Sequence, residues 1–467
     1  MTTTEFPPPG TRLPDAPQGR RGHQPAPLPP LGPRSTRAPG WAPRLAQLVA
    51  GSAADSSRVR WWRRRAAAAV LRAVARRVPV EIVLPDGRLL ARPAAPDGAR
   101  ARLPRLVLHR PEEVYRRLAQ DPKQGIGEAY TAGDWDVAPG TDLAEALAPF
   151  AARLSTAVPG WLLRWRRAVD RPLPADQHGD AAHTRANVGA HYDLSNDLFA
   201  AFLDPTLSYS SALFDPDWPL HLQSLEQAQL RKVRAALDGA GVGAGSEVLE
   251  IGTGWGTLAI EAARRGARVT TATLSVEQAA LAEERIARAG LDHLVTVLVC
   301  DYRDLQGSYD AVVSIEMVEA VGERYWPAYF ATLSRLVRPG GAVLLQAILM
   351  EHERYLATRH SYGWIQKHIF PGGLIPSRTA IEEHAGAAGL RLDGDLHFGA
   401  DYAETLRRWR DTFVTAWPEL APRLVGSRFD EEFRRTWEFY LAYCEAGFAT
   451  GYLDVAQLRL VPAEEAA

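Results

Sequence analysis

From residue 246 onward the chain alternates short apolar runs with helix-length polar and apolar mixtures. The runs are SEVLEI (246–251), ARVTTATL (267–274), LVTVLV (294–299), YDAVVSI (309–315) and AVLLQAIL (342–349). Strands separated by helices of about 10–15 residues predict an α/β fold on a parallel sheet. Two later runs, RLDGDLHFG (391–399) and DVAQLRLV (454–461), fall where a closing hairpin is expected.

The first 180 residues follow a different pattern. Residues 1–40 are proline-rich with no apolar periodicity and read as an unstructured arm. A helical region follows over 41–77, in which Trp61, Trp62, Val70, Leu71 and Val74 interleave with Arg58, Arg60, Arg63, Arg64, Arg65, Arg72, Arg76 and Arg77. Two readings of this segment are open. Arginines beside tryptophans suit an anionic lipid surface, where aliphatic stems and indoles sit at headgroup depth; equally, the helix packs on its own domain and turns a basic face to water. Residues 78–150 read as a small α+β unit. VEIVLPDGRLLARP predicts strand–turn–strand around Pro85-Asp86-Gly87, LVLHRPEEVYRRLAQ predicts a strand then a helix, and GIGEAYTAGDWDV (125–137) reads as a glycine-punctuated aromatic loop. A second Trp/Arg segment, WLLRWRRAVDR with Trp161 and Trp165, precedes RPLPADQHGDAAH (171–183), which reads as a linker. The expected division is therefore an arm over 1–40, a helical and small α+β part over 41–170, the linker 171–183, and a catalytic domain over 184–467.

Composition narrows the classes. An apolar share of 46% and a charged share of 23% are those of a soluble globular protein. A net charge of -1 gives no basic field for nucleic acid, and none is expected as a partner. Lysine occurs only at Lys123, Lys232 and Lys367, a bias toward arginine that reads as coding preference. Cys300 and Cys444 offer no disulfide framework and suit a reducing cytoplasm. The N-terminus lacks the apolar core of a secretory signal, and no apolar run reaches the ~20 residues that span a bilayer. Membrane contact, if any, is peripheral. The histidines show no HExxH-type spacing, and no metal is expected.

VLEIGTGWGTL (248–258) is a strand, a glycine turn and the start of a helix. Gly252, Gly254 and Gly256 allow a tight turn and close approach of backbone to ligand. The spacing is not the dinucleotide G-x-G-x-x-G, and the second strand ends in TATLS, with Thr273 and Ser275 where an NAD site wants an acid. A nucleoside without pyrophosphate is favoured. The turn, with Glu250 before it, resembles the first motif of class I S-adenosylmethionine methyltransferases, whose fold is Rossmann-like with a mostly parallel seven-stranded sheet. CDYRDL (300–305) lies where that fold holds adenine.

Nine blocks extend the likeness: HYDLSNDLF (191–199), FLDPTLSYSSALF (202–214), LEIGTGWG (249–256), TLSVEQ (273–278), DYRDL (301–305), VSIEMVEAVG (313–322), WIQKHIFPGGLIPS (364–377), FGADYAETLRRW (398–409) and FYLAYCEAGF (439–448). Together they resemble the cyclopropane-fatty-acyl-phospholipid synthases and their mycolic acid relatives. The resemblance implies that Tyr209, Ser210, Glu250, Gly252, Gly254, Gly256, Thr273, Ser275, Gln278 and Tyr302 bind S-adenosylmethionine. It implies a bicarbonate ion as bound base, held by the backbone of Ser211 with Glu319, Tyr402 and Cys444. Three departures accompany it: Gln346 stands where the family has histidine, Glu316 where it has glycine, and Ala320 where it has histidine. Glutamine donates a hydrogen bond but carries no charge and relays no proton. These features resemble the actinobacterial branch linked to tuberculostearic acid, which implies a 10-methylene product on an oleoyl phospholipid, with the cyclopropane ring as the alternative. A separate reductase, a homodimer, and a place on the cytoplasmic face of the cell membrane are implied in the same way. Methylation of a soluble small molecule is a more distant alternative.

The residues AVVSIEMVEAV (311–321) pose one further problem, because a buried-looking strand runs into Glu316 and Glu319. Buried carboxylates are costly unless paired or used. Glu319 is expected at the base, sharing a proton with the anion. Glu316 is open between facing the sulfonium charge and pairing with an arginine. Tyr362, Trp364, Phe370 and Trp409 are candidates for aromatic stabilisation of a carbocation, each also explicable as core. Cys444 is expected to line the anion pocket without acting as a nucleophile, and Cys300 to pack beside the adenine.

Overall fold

The computed structural model describes residues 61–94, 103–153, 196–422, 424 and 429–463. The N-terminal arm, the 171–183 linker, Trp161, Trp165 and the first residues of HYDLSNDLF lie outside the described residues. All described residues belong to one compact unit, residues 51–467.

The larger sheet has seven strands: β4 (Glu247–Ile251), β5 (Arg268–Thr273), β6 (Val295–Val299), β7 (Tyr309–Ile315), β8 (Val337–Met350), β9 (Leu390–His397) and β10 (Leu453–Pro462). Their order across the sheet is β6-β5-β4-β7-β8-β10-β9. The first five are mutually parallel, and β10 runs antiparallel between β8 and β9. This is the mostly parallel, Rossmann-like sheet of class I methyltransferases. The central strands read as unbroken apolar runs because both faces are covered: Val248, Leu249, Val312, Val313, Val343 and Leu345 are all buried. The order turns at β4 and β7, so ligands belong at the carboxyl ends of these strands.

A smaller sheet combines β1 (Glu81–Val83), β2 (Arg105–Leu108) and β3 (Trp135–Val137) in the order β1-β2-β3. Two expectations are corrected here. The segment after Gly87 does not return as a strand; Leu89 forms only an isolated bridge to Val83, while β1 pairs in parallel with β2. The glycine-punctuated loop is instead helix α3 (Gly125–Thr131) followed by β3. Its glycines are there for contact. A Cβ on Gly125 would lie 2.5 Å from the Arg117 carbonyl carbon, and one on Gly127 would lie 2.6 Å from the Trp364 ring.

Besides short helices at Val318–Val321, His352–Thr358 and Trp364–His368, the described helices, numbered in chain order, are α1 (Trp61–Ala75), α2 (Pro111–Gln120), α3, α4 (Leu143–Ala151), α5 (Asn196–Phe202), α6 (Leu225–Gly239), α7 (Thr257–Arg264), α8 (Val276–Arg288), α9 (Trp326–Leu336), α10 (Arg378–Ala387), α11 (Gly399–Leu420) and α12 (Glu431–Ala449). Helices α11 and α12 pack on each other, and α12 also meets α3 and α4. One apolar core therefore runs from Val80, Ile82 and Trp135 of the small sheet through Phe439 and Trp437 to Trp409 and Phe202. Helix α1 is divided along its length. Leu71, Val74 and Ala75 pack onto this core, whereas Trp61 and Trp62 are 69% and 52% exposed. Among the described residues no helix is long and apolar enough to cross a membrane.

Candidate functional site

Strand β4 ends at Ile251 and the chain turns through Gly252, Gly254 and Gly256, with φ of 100°, 51° and 85°. These left-handed conformations strain any residue with a Cβ. Gly256 also starts α7 beneath α8, where an added Cβ would meet that of Ala282 at 3.2 Å. Among the described residues the turn is open above: a Cβ on Gly254 would meet nothing within 4 Å, and one on Gly252 only the Met317 side chain, Sδ at 3.7 Å. Around it lie groups suited to an adenosine. Glu250 accepts from Thr271 Oγ1 at 2.6 Å, and burial pushes its carboxyl up to about 8 against the opposing pull of Thr271 and Lys232. Thr273 Oγ1 donates to Gln278 Oε1 at 3.0 Å, and Ser275 caps α8 by accepting from Gln278 N at 3.2 Å. Tyr302 follows β6, buried, with its ring 5.4 Å from that of Tyr329. An open glycine cradle with a buried acid and hydroxyls beside it fits S-adenosylmethionine.

The 208–214 segment closes over the end of the sheet and is fastened by α11. Thr405 Oγ1 accepts from Ala212 N at 3.2 Å, and Asp401 Oδ2 accepts from Phe214 N at 2.9 Å. This places Tyr209, Ser210 and Ser211 facing inward. Tyr209 shares a 2.8 Å hydroxyl contact with Tyr440 of α12.

At the centre is Glu316, the first residue past β7. Its Oε1 accepts from Ser211 N at 2.9 Å and from Gln346 Nε2 at 2.8 Å; its Oε2 accepts from Tyr402 Oη at 2.6 Å. Among the described residues no arginine contacts it, and it bonds to the donors expected at the anion pocket rather than to the glycine turn. Ser211 N and Tyr402 Oη, which the resemblance gave to bicarbonate, are both engaged by this carboxylate. The residues present therefore do not fit a separate bicarbonate ion. Burial raises the Glu316 carboxyl above its ordinary range, while Tyr402, Ser211, Gln346 and the Lys232 charge all pull it down. Its backbone has φ 49°, one of two positive values at non-glycine residues among those described. Such strain costs about 1–3 kcal/mol and collects at functional sites.

Glu319 stands one short helical turn on. Its Oε1 accepts from Ile348 N at 2.6 Å, while its Oε2 is buried without a hydrogen-bond partner. Burial first, and the Glu316 charge second, push its carboxyl up to about 8. Burial thus disfavours charge on both carboxyls, and the like charge of its neighbour adds to the shift at Glu319, as expected of acids in a shared dry site. Cys444 lies on α12 among Tyr402 and Tyr440, and burial pushes its thiol up to about 12, so it stays protonated.

Of the aromatic candidates, Trp409 is fully buried, 5.4 Å from Tyr209 and 6.2 Å from Tyr402 by ring centroids. Phe370 lies 5.8 Å from Tyr440. Trp364 packs 4.8 Å from Phe439 against α3, and the Tyr362 carbonyl accepts from Gln124 Nε2. These last two serve the junction with the small sheet. Cys300 follows β6 and packs at the edge of the core around Tyr302 and Leu305.

Two participants were missed in the sequence. Lys232 of α6, 2% exposed, donates from Nζ to Ser210 Oγ at 2.6 Å; burial lowers it to about 8, with Glu316, Asp204 and Glu250 opposing. Its signal was rarity, one of three lysines in an arginine-rich chain. Gln457 sits directly opposite Gln346 in the β8–β10 ladder. Its Nε2 donates to Gln346 Oε1 at 3.1 Å and to the Lys232 carbonyl at 3.0 Å. A lone glutamine in the apolar run DVAQLRLV was the available clue. Among the described residues no cluster of His, Cys, Asp or Glu is placed to hold a metal ion.

Comparison with known proteins adds a lineage to this geometry. The family model described as mycolic acid cyclopropane synthetase matches residues 180–458. The tuberculostearic acid methyltransferase UfaA1 of Mycobacterium tuberculosis is 47% identical over 425 residues, covering 89% of this chain and 92% of that protein. The cyclopropane-fatty-acyl-phospholipid synthase of Escherichia coli is 34% identical over 350 residues, covering 74% of this chain and 85% of that one. The solved structure of mycolic acid cyclopropane synthase CmaA1 complexed with SAH and CTAB is 30% identical, with a TM-score of 0.52, covering 59% of this chain and 97% of that one.

Proposed function

The chain belongs to the mycolic acid cyclopropane synthetase family of S-adenosylmethionine-dependent methyltransferases, and from that premise we propose that it adds one carbon to the cis double bond of an unsaturated phospholipid acyl chain, giving a 10-methylene product. The observation that carries the reading is 47% identity with a tuberculostearic acid methyltransferase across nearly the whole chain. The carboxylate pair beside a glycine cradle gives that reading a site. The cyclopropane ring is the second outcome, favoured by the similarity to the Escherichia coli synthase.

When bound, S-adenosylmethionine supplies an electrophilic methyl group on a positively charged sulfur. In this reading Gly252, Gly254, Gly256, Glu250, Thr273, Ser275, Gln278 and Tyr302 hold its nucleoside, and Tyr209 and Ser210 its methionine end. An isolated alkene is a weak nucleophile, so the chain must hold it at near-attack distance in a dry cavity. Phe202, Tyr209, Trp409 and Trp437 form an aromatic wall that excludes water, with Phe202 and Trp409 6.2 Å apart. Their faces stabilise a cationic carbon without bonding to it. Proton loss from the new methyl while the charge stays in place closes a ring; loss after a hydride shift leaves an exocyclic methylene. Bicarbonate has no part in this reading, because its donors already hold Glu316.

The exposed Trp61 and Trp62 support docking of α1 on the anionic cytoplasmic face of the membrane. A homodimer, a boundary between small and catalytic domains near 171–183, and a separate reductase acting on the methylene belong to the same proposal. The test is expression in a host making oleate, with fatty-acid methyl esters read by mass and proton NMR. A gain of one carbon with vinylidene protons is expected. The same gain without them means a ring, and chains unchanged in carbon count overturn the reading.

A further inference from the structure

We propose that Glu316 is the built-in proton acceptor of this reaction, its carboxylate taking the place of a dissolved anion. The inference rests on the one-carbon transfer proposed above and concerns where the departing proton goes.

An ionised carboxylate offers about four lone-pair sites, two on each oxygen. Glu316 Oε1 uses both of its sites, on Ser211 N and Gln346 Nε2, and Oε2 uses one, on Tyr402 Oη. One site on Oε2 remains for an incoming proton. The donors are themselves fixed. Gln457 donates to Gln346 Oε1, so the Gln346 amide can only turn its NH2 toward Glu316. The Gln346 carbonyl also accepts from Glu316 N at 2.7 Å, so one residue locks both the main chain and the side chain of the acceptor. A glycine would take φ 49° without strain, yet a glutamate holds it here. Strain kept at such a point, with every donor turned onto the resulting carboxylate, marks the side chain as the purpose of the arrangement.

The neighbouring charges suit the role. Lys232 is buried behind Ser210 and favours the ionised form of Glu316. Burial and the Glu316 charge push the Glu319 carboxyl up to about 8, so the pair does not place two negative charges together at neutral pH. The step balances without an oxidant. After the hydride shift, a C–H bond of the attached methyl breaks, and its electron pair becomes the new C=C bond to the cationic carbon. The proton bonds to Glu316 Oε2 and leaves to water once the product has gone.

The experiment is turnover of oleoyl phospholipid vesicles in carbon-dioxide-free buffer, with and without added bicarbonate. The wild type is expected to run at the same rate in both. Glu316→Gly is expected to lose about 100- to 10,000-fold without bicarbonate, the usual weight of a positioned base. Added bicarbonate then restores part of the loss by filling the vacated donors. Glu316→Gln keeps the shape but takes no proton, and is expected to stay inactive in both buffers while binding S-adenosylhomocysteine like the wild type. A wild type that needs bicarbonate, a glutamine variant that turns over normally, or a cofactor-binding glycine variant that no small anion rescues overturns the inference. If the glycine variant fails to bind S-adenosylhomocysteine, the glutamine variant alone decides. A wild type that adds no carbon to any chain instead removes the reaction itself, which separates the two failures.

Discussion

Replacing Gln346 by leucine tests the pocket's electrostatics without touching the acceptor. The side chain is fully buried and donates one of the three hydrogen bonds on Glu316. Leucine is of similar volume, and Gln457 Nε2 keeps its bond to the Lys232 carbonyl. A hydrogen bond to a charged group is worth about 1.5–3 kcal/mol. At about 1.36 kcal/mol per pKa unit, its loss raises the Glu316 carboxyl by about one to two units, because all three donors favour the ionised form. The base is active when ionised, so the acid limb of kcat/KM moves to higher pH by that amount. Well below the limb the variant is slower by about 10- to 100-fold, and above it the two enzymes converge. The assay is the pH–rate profile on oleoyl vesicles, alongside thermal melts showing that the variant is folded. A deficit of the same size at every pH, or an unmoved limb, refutes the reasoning.

Other substitutions probe separate parts. The Glu319 carboxyl is pushed to about 8 when folded, from an ordinary 4.5, so the native state binds more protons between those values and stability falls as pH rises through that window. Glu319→Gln removes that slope: the variant gains stability relative to the wild type from pH 5 to pH 8.5 in thermal melts, and parallel curves would count against the assignment. Lys232→Arg forces a larger, five-donor group into a site that offers Ser210 Oγ, and is expected to cost about 1–3 kcal/mol in denaturant unfolding; an unchanged midpoint would mean the site has spare room. Gly127→Ala puts a Cβ 2.6 Å from the Trp364 ring and 2.8 Å from Phe439, with an expected loss of about 1–3 kcal/mol in the same assay.

The large sheet was legible because its central strands are buried on both faces and so are apolar at every position, a signal that survives without any partner being known. The small sheet was less so. VEIVLPDGRLLARP has the local grammar of a hairpin, but β1 takes β2 as its neighbour, and that choice depends on residues some 20 positions away. The misread of 125–137 has a different cause. Glycine in a sequence reads as a breaker, whereas Gly125 and Gly127 are required by the Arg117 carbonyl and the Trp364 ring, and a helix with two glycines is stabilised by the packing they permit.

The site divides along the same line. The glycine turn is contiguous, so its chemistry could be read from one short stretch. The carboxylate pocket is assembled from Ser211, Glu316, Gln346 and Tyr402, which come from a loop, a strand end, a mid-strand and a helix. Glu316 has two destinations on sequence grounds, the sulfonium or an arginine, because the direction of its side chain follows from a left-handed φ that no residue pattern announces. On the resemblance alone, Gln346 stands in for a histidine without its charge or its proton relay. Paired with Gln457 across the ladder, it is instead a donor of fixed orientation, and a neutral one suits a neighbour that is itself a carboxyl. Where the resemblance implies glycine at 316 and histidine at 346, Glu316 and Gln346 are bonded to each other, so the two positions work as one arrangement. A pocket with its own carboxylate needs a neutral hydrogen-bond donor beside it, and an amide fills that role without adding a titratable group to a dry site.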